Sequence, residues 1–171
     1  IFLGGAHWLL ALTPLSNIGL RHPRSLLDNA PLRDLIDRQV DLGRIDKAIR
    51  AGALRAVGVT ASAYGRGQAI TFFQGRPGIA EWTRAHRSGV GVELATDHIL
   101  ASVALPLVFP AQQVGDAYFG DGARRIGAPL SPAIHCGAER ILVIGVRNAI
   151  HSGDSSLDYP SLGKLAGYLL D

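Results

Sequence analysis

Pro129-Leu130-Ser131-Pro132-Ala133-Ile134-His135-Cys136-Gly137 runs directly into Ala138-Glu139-Arg140-Ile141-Leu142-Val143-Ile144-Gly145-Val146. Pro129 opens a helix, where a missing N–H costs nothing, and Gly137 closes it as a left-handed cap. Ile141–Val146 has the continuous apolar run of a parallel strand buried on both faces. Helix, glycine and apolar strand make the αβ half of a βαβ unit, which places the chain in the α/β class.

Just upstream stands Tyr118-Phe119-Gly120-Asp121-Gly122-Ala123. An aromatic pair leads in from a short strand, and Gly120 and Gly122 bracket one carboxylate. Backbone between two glycines turns sharply and admits close neighbours. That suits a catalytic base on a loop at a sheet edge. It equally suits an ordinary Asp-Gly turn, and these six residues alone leave both open.

The remaining elements follow from pattern. Leu32, Leu35, Ile36 and Val40 share one face of a helix opening near Pro31, with Asp28 or Asn29 as its cap and Arg33, Asp34, Asp37 and Arg38 outside. Residues 44–51 give a second helix, stopped by Gly52. Leu54–Thr60 and Ala69–Phe73 read as paired strands around the turn at Tyr64–Gly67. Glu81–Arg87 reads as one or two helical turns anchored by Trp82. Thr96–Leu105 is a helix capped by Thr96, favoured by Asp97 at its positive end and ended by Pro106. Pro106 and Pro110 frame Leu107-Val108-Phe109, an apolar loop expected to face the interior. Gln113–Phe119 supplies the short strands that lead to Asp121.

The chain of 171 residues fits a single domain, 1–171. Hydrophobic residues make up 47% and charged residues 18%, a globular and rather apolar balance. The formal charge of +3 is spread along the chain as arginine rather than clustered, which speaks against a nucleic-acid partner. Cys136 is the single cysteine, so no internal disulfide forms and a cytoplasmic or peripheral-membrane location is favoured. The six histidines are scattered, with no metal-ligand spacing. No metal or organic cofactor is expected.

Residues 1–24 begin with the most apolar stretch. Gly4, Gly5, His7, Pro14, Ser16 and Asn17 interrupt it, which argues against a membrane span. It reads as a core-packing helix or as a lid-like segment facing lipid. Residues 161–171 read as the start of a final helix, with Leu162, Leu165 and Leu169 inward. Arg124 and Arg125, directly after Asp121, suit solvated or ion-paired positions more than a head-group contact. His98 fits a surface position, His135 and Cys136 fit core or capping roles, and Trp82, Phe72 and Phe73 fit packing.

No serine is flanked as G-x-S-x-G, and there is no phosphate loop and no G-x-G-x-x-G. The residues alone offer a base without a nucleophile. SLLDNAPLRDLID (25–37), LRAVGVTA (54–61), DHILASVALPLVFP (97–110), YFGDGARRIGAPLSPAI (118–134), ERILVIGV (139–146) and the trailing YPSLGKLAGYLLD (159–171) stand in an order and spacing that resembles the bacterial patatin-like phospholipases. Together they cover nearly the whole chain.

The resemblance implies a partial three-layer α/β/α hydrolase domain with a mostly parallel central sheet. It implies a serine–aspartate dyad that cleaves acyl esters of lipids, with a lipid substrate and peripheral membrane contact. The family's D-G-[GA] motif falls on Asp121, Gly122 and Ala123, after Gly120, and makes Asp121 the dyad aspartate. Burial beside apolar walls makes a carboxylate a better base for a hydroxyl. The run Ala101–Pro110 then shapes the substrate-site wall with Pro106, Phe109 and Pro110, and Ser102 lies within its helix. The family's oxyanion loop and nucleophile elbow are expected before Ile1, which makes this an N-terminally truncated domain, inactive in isolation. The alternative is a non-catalytic member or fragment that packs against a partner through its open sheet edge.

Overall fold

β1 (Ala56–Ala63) and β2 (Gln68–Gly75) form the centre of the fold as an antiparallel pair, from Ala56 opposite Gly75 to Ala63 opposite Gln68. They belong to a computed structural model that describes residues 25–65, 67–122 and 129–145. The apolar start, Ala123, Arg124, Arg125, Val146 and the expected C-terminal helix lie outside the described residues. The other described elements are α1 (Ala30–Gln39), α2 (Gly43–Arg50), β3 (Trp82–Arg84), β4 (Arg87–Gly91), α3 (Thr96–Val103), β5 (Gln112–Val114), β6 (Ala117–Gly120) and α4 (Ser131–His135).

The strands make one six-stranded sheet in the order β3-β4-β2-β1-β6-β5. Helices lie on both of its faces, so the α/β class holds. The expectation of a mostly parallel sheet does not. Only β2 and β4 run parallel among the described strands; β1/β2, β1/β6, β3/β4 and β5/β6 are antiparallel. The cause is connection length. Ala85-His86 joins β3 to β4, and Gly115-Asp116 joins β5 to β6, with Gly115 at a φ of 60°. Such short turns reverse the chain, whereas a parallel neighbour needs a crossover of about a dozen residues. The passage from β2 to β4 is long enough, and it carries the parallel pair.

Strand alternation sorts the side chains onto two faces. Ala61, Ala63, Ile70, Phe72 and Phe119 pack with Leu94 and with Ala101 of α3, joined by Ile45 of α2. The opposite face presents Gly58, Thr60 and Ser62 against Phe73, Thr71 and Ala69. There Trp82 stacks between two rings, with centroids 5.2 Å from Phe73 and 4.6 Å from His135. The His135 contact fixes α4 against this face.

Glu81–Arg87 is not helical. Trp82 pairs with Gly89 across an antiparallel step, and its ring lies over that glycine, where a Cβ would stand 2.2 Å from the indole. A buried tryptophan needs that bare backbone beneath it, and the strand supplies it. Ile141–Ile144 differs from expectation as well. The segment is in no described strand, and Leu142 and Ile144 are each 86% exposed. β6 pairs only with Ser62 and Ala63 of β1, and no described strand pairs with that edge of β1 from Ala56 to Ala61; the segment stands outside the sheet although its composition suits a place there.

α1 begins as expected, with Pro31 in its first turn and Asp28 Oδ1 accepting from the Ala30 N–H at 3.0 Å. Of its apolar face only Ile36 is buried; Leu35 and Val40 are exposed. Gly52 and Gly137 adopt left-handed φ values of 80° and 86°, as their cap positions require.

Candidate active site

Asp121 follows β6 directly and is 8% exposed. Its N–H donates to the Ala104 carbonyl at 2.9 Å, just past the end of α3. Its own carbonyl accepts from Ser62 Oγ of β1, also at 2.9 Å. The main chain at Asp121 is thus tied to a helix end on one side and a central strand on the other.

The two glycines explain how the chain gets so close. A Cβ on Gly122 would stand 2.0 Å from the Thr60 carbonyl oxygen. That is fixed backbone, and only glycine fits. A Cβ on Gly120 would stand 2.2 Å from Tyr64 Oη, the far end of a half-exposed side chain. The Tyr64 N–H in turn donates to the Tyr118 carbonyl at 3.0 Å. The motif read from sequence therefore reflects close approach at both flanks, which a simple exposed turn does not require.

Pro106, Phe109 and Pro110 are half-buried in the turn that follows α3. They sit on the same short run of chain as Ala104, whose carbonyl holds Asp121. The Phe109 N–H closes the turn on the Leu105 carbonyl at 2.9 Å. Leu107 does not face the interior: it is 61% exposed, with a left-handed φ of 70°. An L-residue in that region costs about 1–2 kcal/mol. The carbonyls of Leu107 and Val108 accept from the N–H groups of Leu26 and Leu27 at 2.9 and 2.8 Å, which docks the segment before α1 onto this turn.

His98 proves to be a cap rather than a plain surface residue. Its Nδ1 accepts from the Ala95 N–H at 2.9 Å while its own N–H donates to the Ala95 carbonyl at 3.0 Å. The imidazole Nδ1 here takes the part usually played by the side chain of Glu or Gln three residues into a helix. Thr96 is thereby displaced from the expected capping position, and its hydroxyl bonds Asp37 instead. Asp97 pairs with Arg33, which the sequence placed on the outer face of α1.

Cys136 lies beside Arg55, whose Nε donates to the Cys136 carbonyl at 2.7 Å. Burial pushes the Cys136 thiol up, and the Arg55 guanidinium pulls it back in part. Neither Cys136 nor His135 is placed near Asp121 by any of these contacts. Ser62, Tyr64 and Ala104 are the neighbours that sequence reasoning missed. Nothing in their local pattern marks them, because their roles arise from the β1/β6 register and from the end of α3.

An open cleft of about 670 Å³ lies at the far end of β2, lined by Phe73, Arg76, Ile79, Glu81 and Glu93 among others. It is remote from Asp121, which sits beside the last residues of β1. Among the described residues, no group of three or more His, Cys, Asp or Glu is placed to hold a metal ion. No described helix is long and apolar enough to cross a membrane.

The arrangement supplies one buried acidic residue whose main chain is anchored to Ala104 and to Ser62, beside a turn of apolar residues. Comparison with curated proteins yields no match, and neither does comparison with solved structures. The family model described as patatin-like phospholipase matches residues 8–134. That span covers about three-quarters of the chain and includes Asp121, so the chain belongs to the patatin-like phospholipase family, a family of lipid hydrolases.

Proposed function

We propose that this domain hydrolyses lipid acyl esters through a serine–aspartate dyad in which Asp121 is the base. None of the ten serines stands on a G-x-S-x-G elbow, and the reading takes the nucleophile from outside these 171 residues. The isolated chain is then inactive. In the reaction, the serine oxygen attacks the ester carbonyl while Asp121 accepts its proton. Collapse of the tetrahedral intermediate expels the alcohol, which takes that proton back. Water then attacks the acyl-enzyme with Asp121 again as base, and the fatty acid leaves as serine is regenerated.

The observation that carries this reading is the double anchoring of the Asp121 main chain, to Ala104 and to Ser62. A dyad carboxylate must be held in place without an intervening histidine, and these bonds fix the backbone that bears it. Pro106, Phe109 and Pro110 form the substrate-site wall in this reading, and Gly120, Gly122 and Ala123 complete the motif. The substrate is a lipid or other acyl ester, met in the cytoplasm or at a membrane surface.

A second reading has its own support. The exposed apolar run Ile141–Ile144 is what a non-catalytic domain that packs against a partner strand would present. Labelling with a fluorophosphonate separates the two. The dyad reading expects a longer form carrying the elbow serine to be labelled, and Asp121→Asn to slow that labelling. Labelling of the longer form at an unchanged rate in Asp121→Asn contradicts it.

A further inference from the structure

Asp121 follows the least tied part of the described sheet. β6 meets β1 at two residue pairs, Ser62 with Gly120 and Ala63 with Phe119, against eight between β1 and β2. Its other neighbour, β5, has three residues and stands at the edge of that sheet. So short a ladder holds a hairpin weakly. A catalytic base needs more, because a displacement of about 1 Å can cost roughly 10²-fold in rate.

α3 supplies what the ladder lacks. Just past its end, the Ala104 carbonyl takes the Asp121 N–H. At its start, Asp97 Oδ1 accepts from Gln112 Nε2 of β5 at 3.2 Å. Gln112 stands opposite Phe119 in the β5/β6 pair, and Phe119 is two residues before Asp121. The Gln112 amide also donates to the Gln113 carbonyl at 3.1 Å, which fixes its orientation. The same turn of α3 carries His98, whose ring packs on Phe72 at 4.7 Å, and Phe72 packs on Phe119 at 5.3 Å. The helix is therefore tied to the β5/β6 hairpin at both ends. Backbone hydrogen bonds make its eight residues one stiff piece, so a shift at Asp97 is carried to Ala104. We propose that Asp97 and Gln112 are positioning residues for Asp121, acting through α3. The inference rests on the dyad reading and adds to it the bond that sets where Asp121 stands. Arg33 also pairs with Asp97, but from α1 rather than from the hairpin, and water screens that pair.

The test has two readouts. In the 171-residue chain, exchange of the Asp121 amide hydrogen reports its bond to Ala104. Gln112→Leu removes the donor and keeps the bulk, and Asp97→Ala removes the acceptor. Each should speed that exchange roughly tenfold, the usual weight of one hydrogen bond, while amides of the β1/β2 pair exchange as in the parent. Asp97→Asn keeps an oxygen for Gln112 and should restore the parent rate, and Arg33→Gln should leave it unchanged. In a longer form that carries an elbow serine, Gln112→Leu and Asp97→Ala should lower kcat roughly tenfold or more with KM unchanged, since they move the base and not the acyl site. Asp97→Asn should restore that too. Parent-like exchange at Asp121 in Gln112→Leu and Asp97→Ala overturns the proposal, because the packing of His98 then suffices. Faster exchange across the whole sheet also overturns it, as does a failure of Asp97→Asn to restore the rate. The dyad reading stands or falls separately. The expected exchange pattern with no ester turnover from the longer form sinks the dyad and leaves the clamp on Asp121. Turnover that needs Asp121 but neither Asp97 nor Gln112 does the reverse.

Discussion

Ser62 Oγ donates a 2.9 Å hydrogen bond to the main-chain carbonyl of Asp121, so the serine nearest this aspartate in the sheet serves its backbone. Ser62 is itself buried, in a strand with no elbow around it. Ser62→Ala removes this donor from a buried main-chain carbonyl. We expect a loss of about 1–3 kcal/mol in stability, measured by urea unfolding. Stability equal to that of the parent chain would show that the bond does not hold the loop.

The two glycines that flank Asp121 should respond differently to alanine. Gly122→Ala drives a methyl into the Thr60 carbonyl, and the strand can move only by breaking its own pairing. A cost of about 1–3 kcal/mol follows. Gly120→Ala meets only the hydroxyl end of Tyr64, a side chain with room to swing towards solvent. Its cost should be the smaller of the two. Equal unfolding midpoints for the two variants would contradict the close approach at Gly122.

Arg33 and Asp97 tie α1 to the start of α3, but both side chains are well exposed, at 39% and 46%. Water screens such a pair. Arg33→Gln should cost less than about 1 kcal/mol, and the difference should shrink further at high salt. A loss of several kcal/mol would mean that the pair organises the helix packing.

Cys136 gives a prediction in pH. Burial raises its thiol above the ordinary value, and Arg55 opposes the rise. The reactive form is the thiolate, whose fraction at a given pH falls as the thiol is pushed up. Alkylation by iodoacetamide at neutral pH should therefore be slower than for a free thiol. Arg55→Ala removes the opposing charge and should slow it again, provided the fold is kept. Faster alkylation in that variant would reverse the assigned causes.

Much of the fold could be read from the residues, where local chemistry decides. Pro31 stands in the first turn of α1, Gly52 and Gly137 take left-handed conformations, and β1 and β2 pair as the two antiparallel strands expected there. What could not be read depends on distant partners. Trp82 sits in a strand because Gly89 offers bare backbone beneath its ring, a fact absent from its own window. Ile141–Ile144 has the composition of a buried strand, yet it joins no described strand, and composition alone does not make the pairing. The predominance of antiparallel pairs was hidden because Glu81–Arg87 reads as helical turns and because the resemblance implies a mostly parallel sheet; the short turn Gly115-Asp116 before β6 was the one local sign of it. At the candidate site the motif around Asp121 was legible, because glycine spacing is local. Ser62, Ala104 and the capping role of His98 were not, because register and helix ends set them.

The most direct test of the central claim is p-nitrophenyl ester turnover by this chain and by a longer form that carries an elbow serine, each beside its Asp121→Asn variant. The account predicts no turnover from the chain alone. It predicts turnover from the longer form that falls by roughly 10²–10⁴ in the variant, the usual contribution of a positioned base. Undiminished turnover in the longer Asp121→Asn protein would contradict the role of Asp121. Turnover by the chain alone that vanishes in its variant would place the nucleophile among the ten serines present here, and the account of an external serine would be wrong.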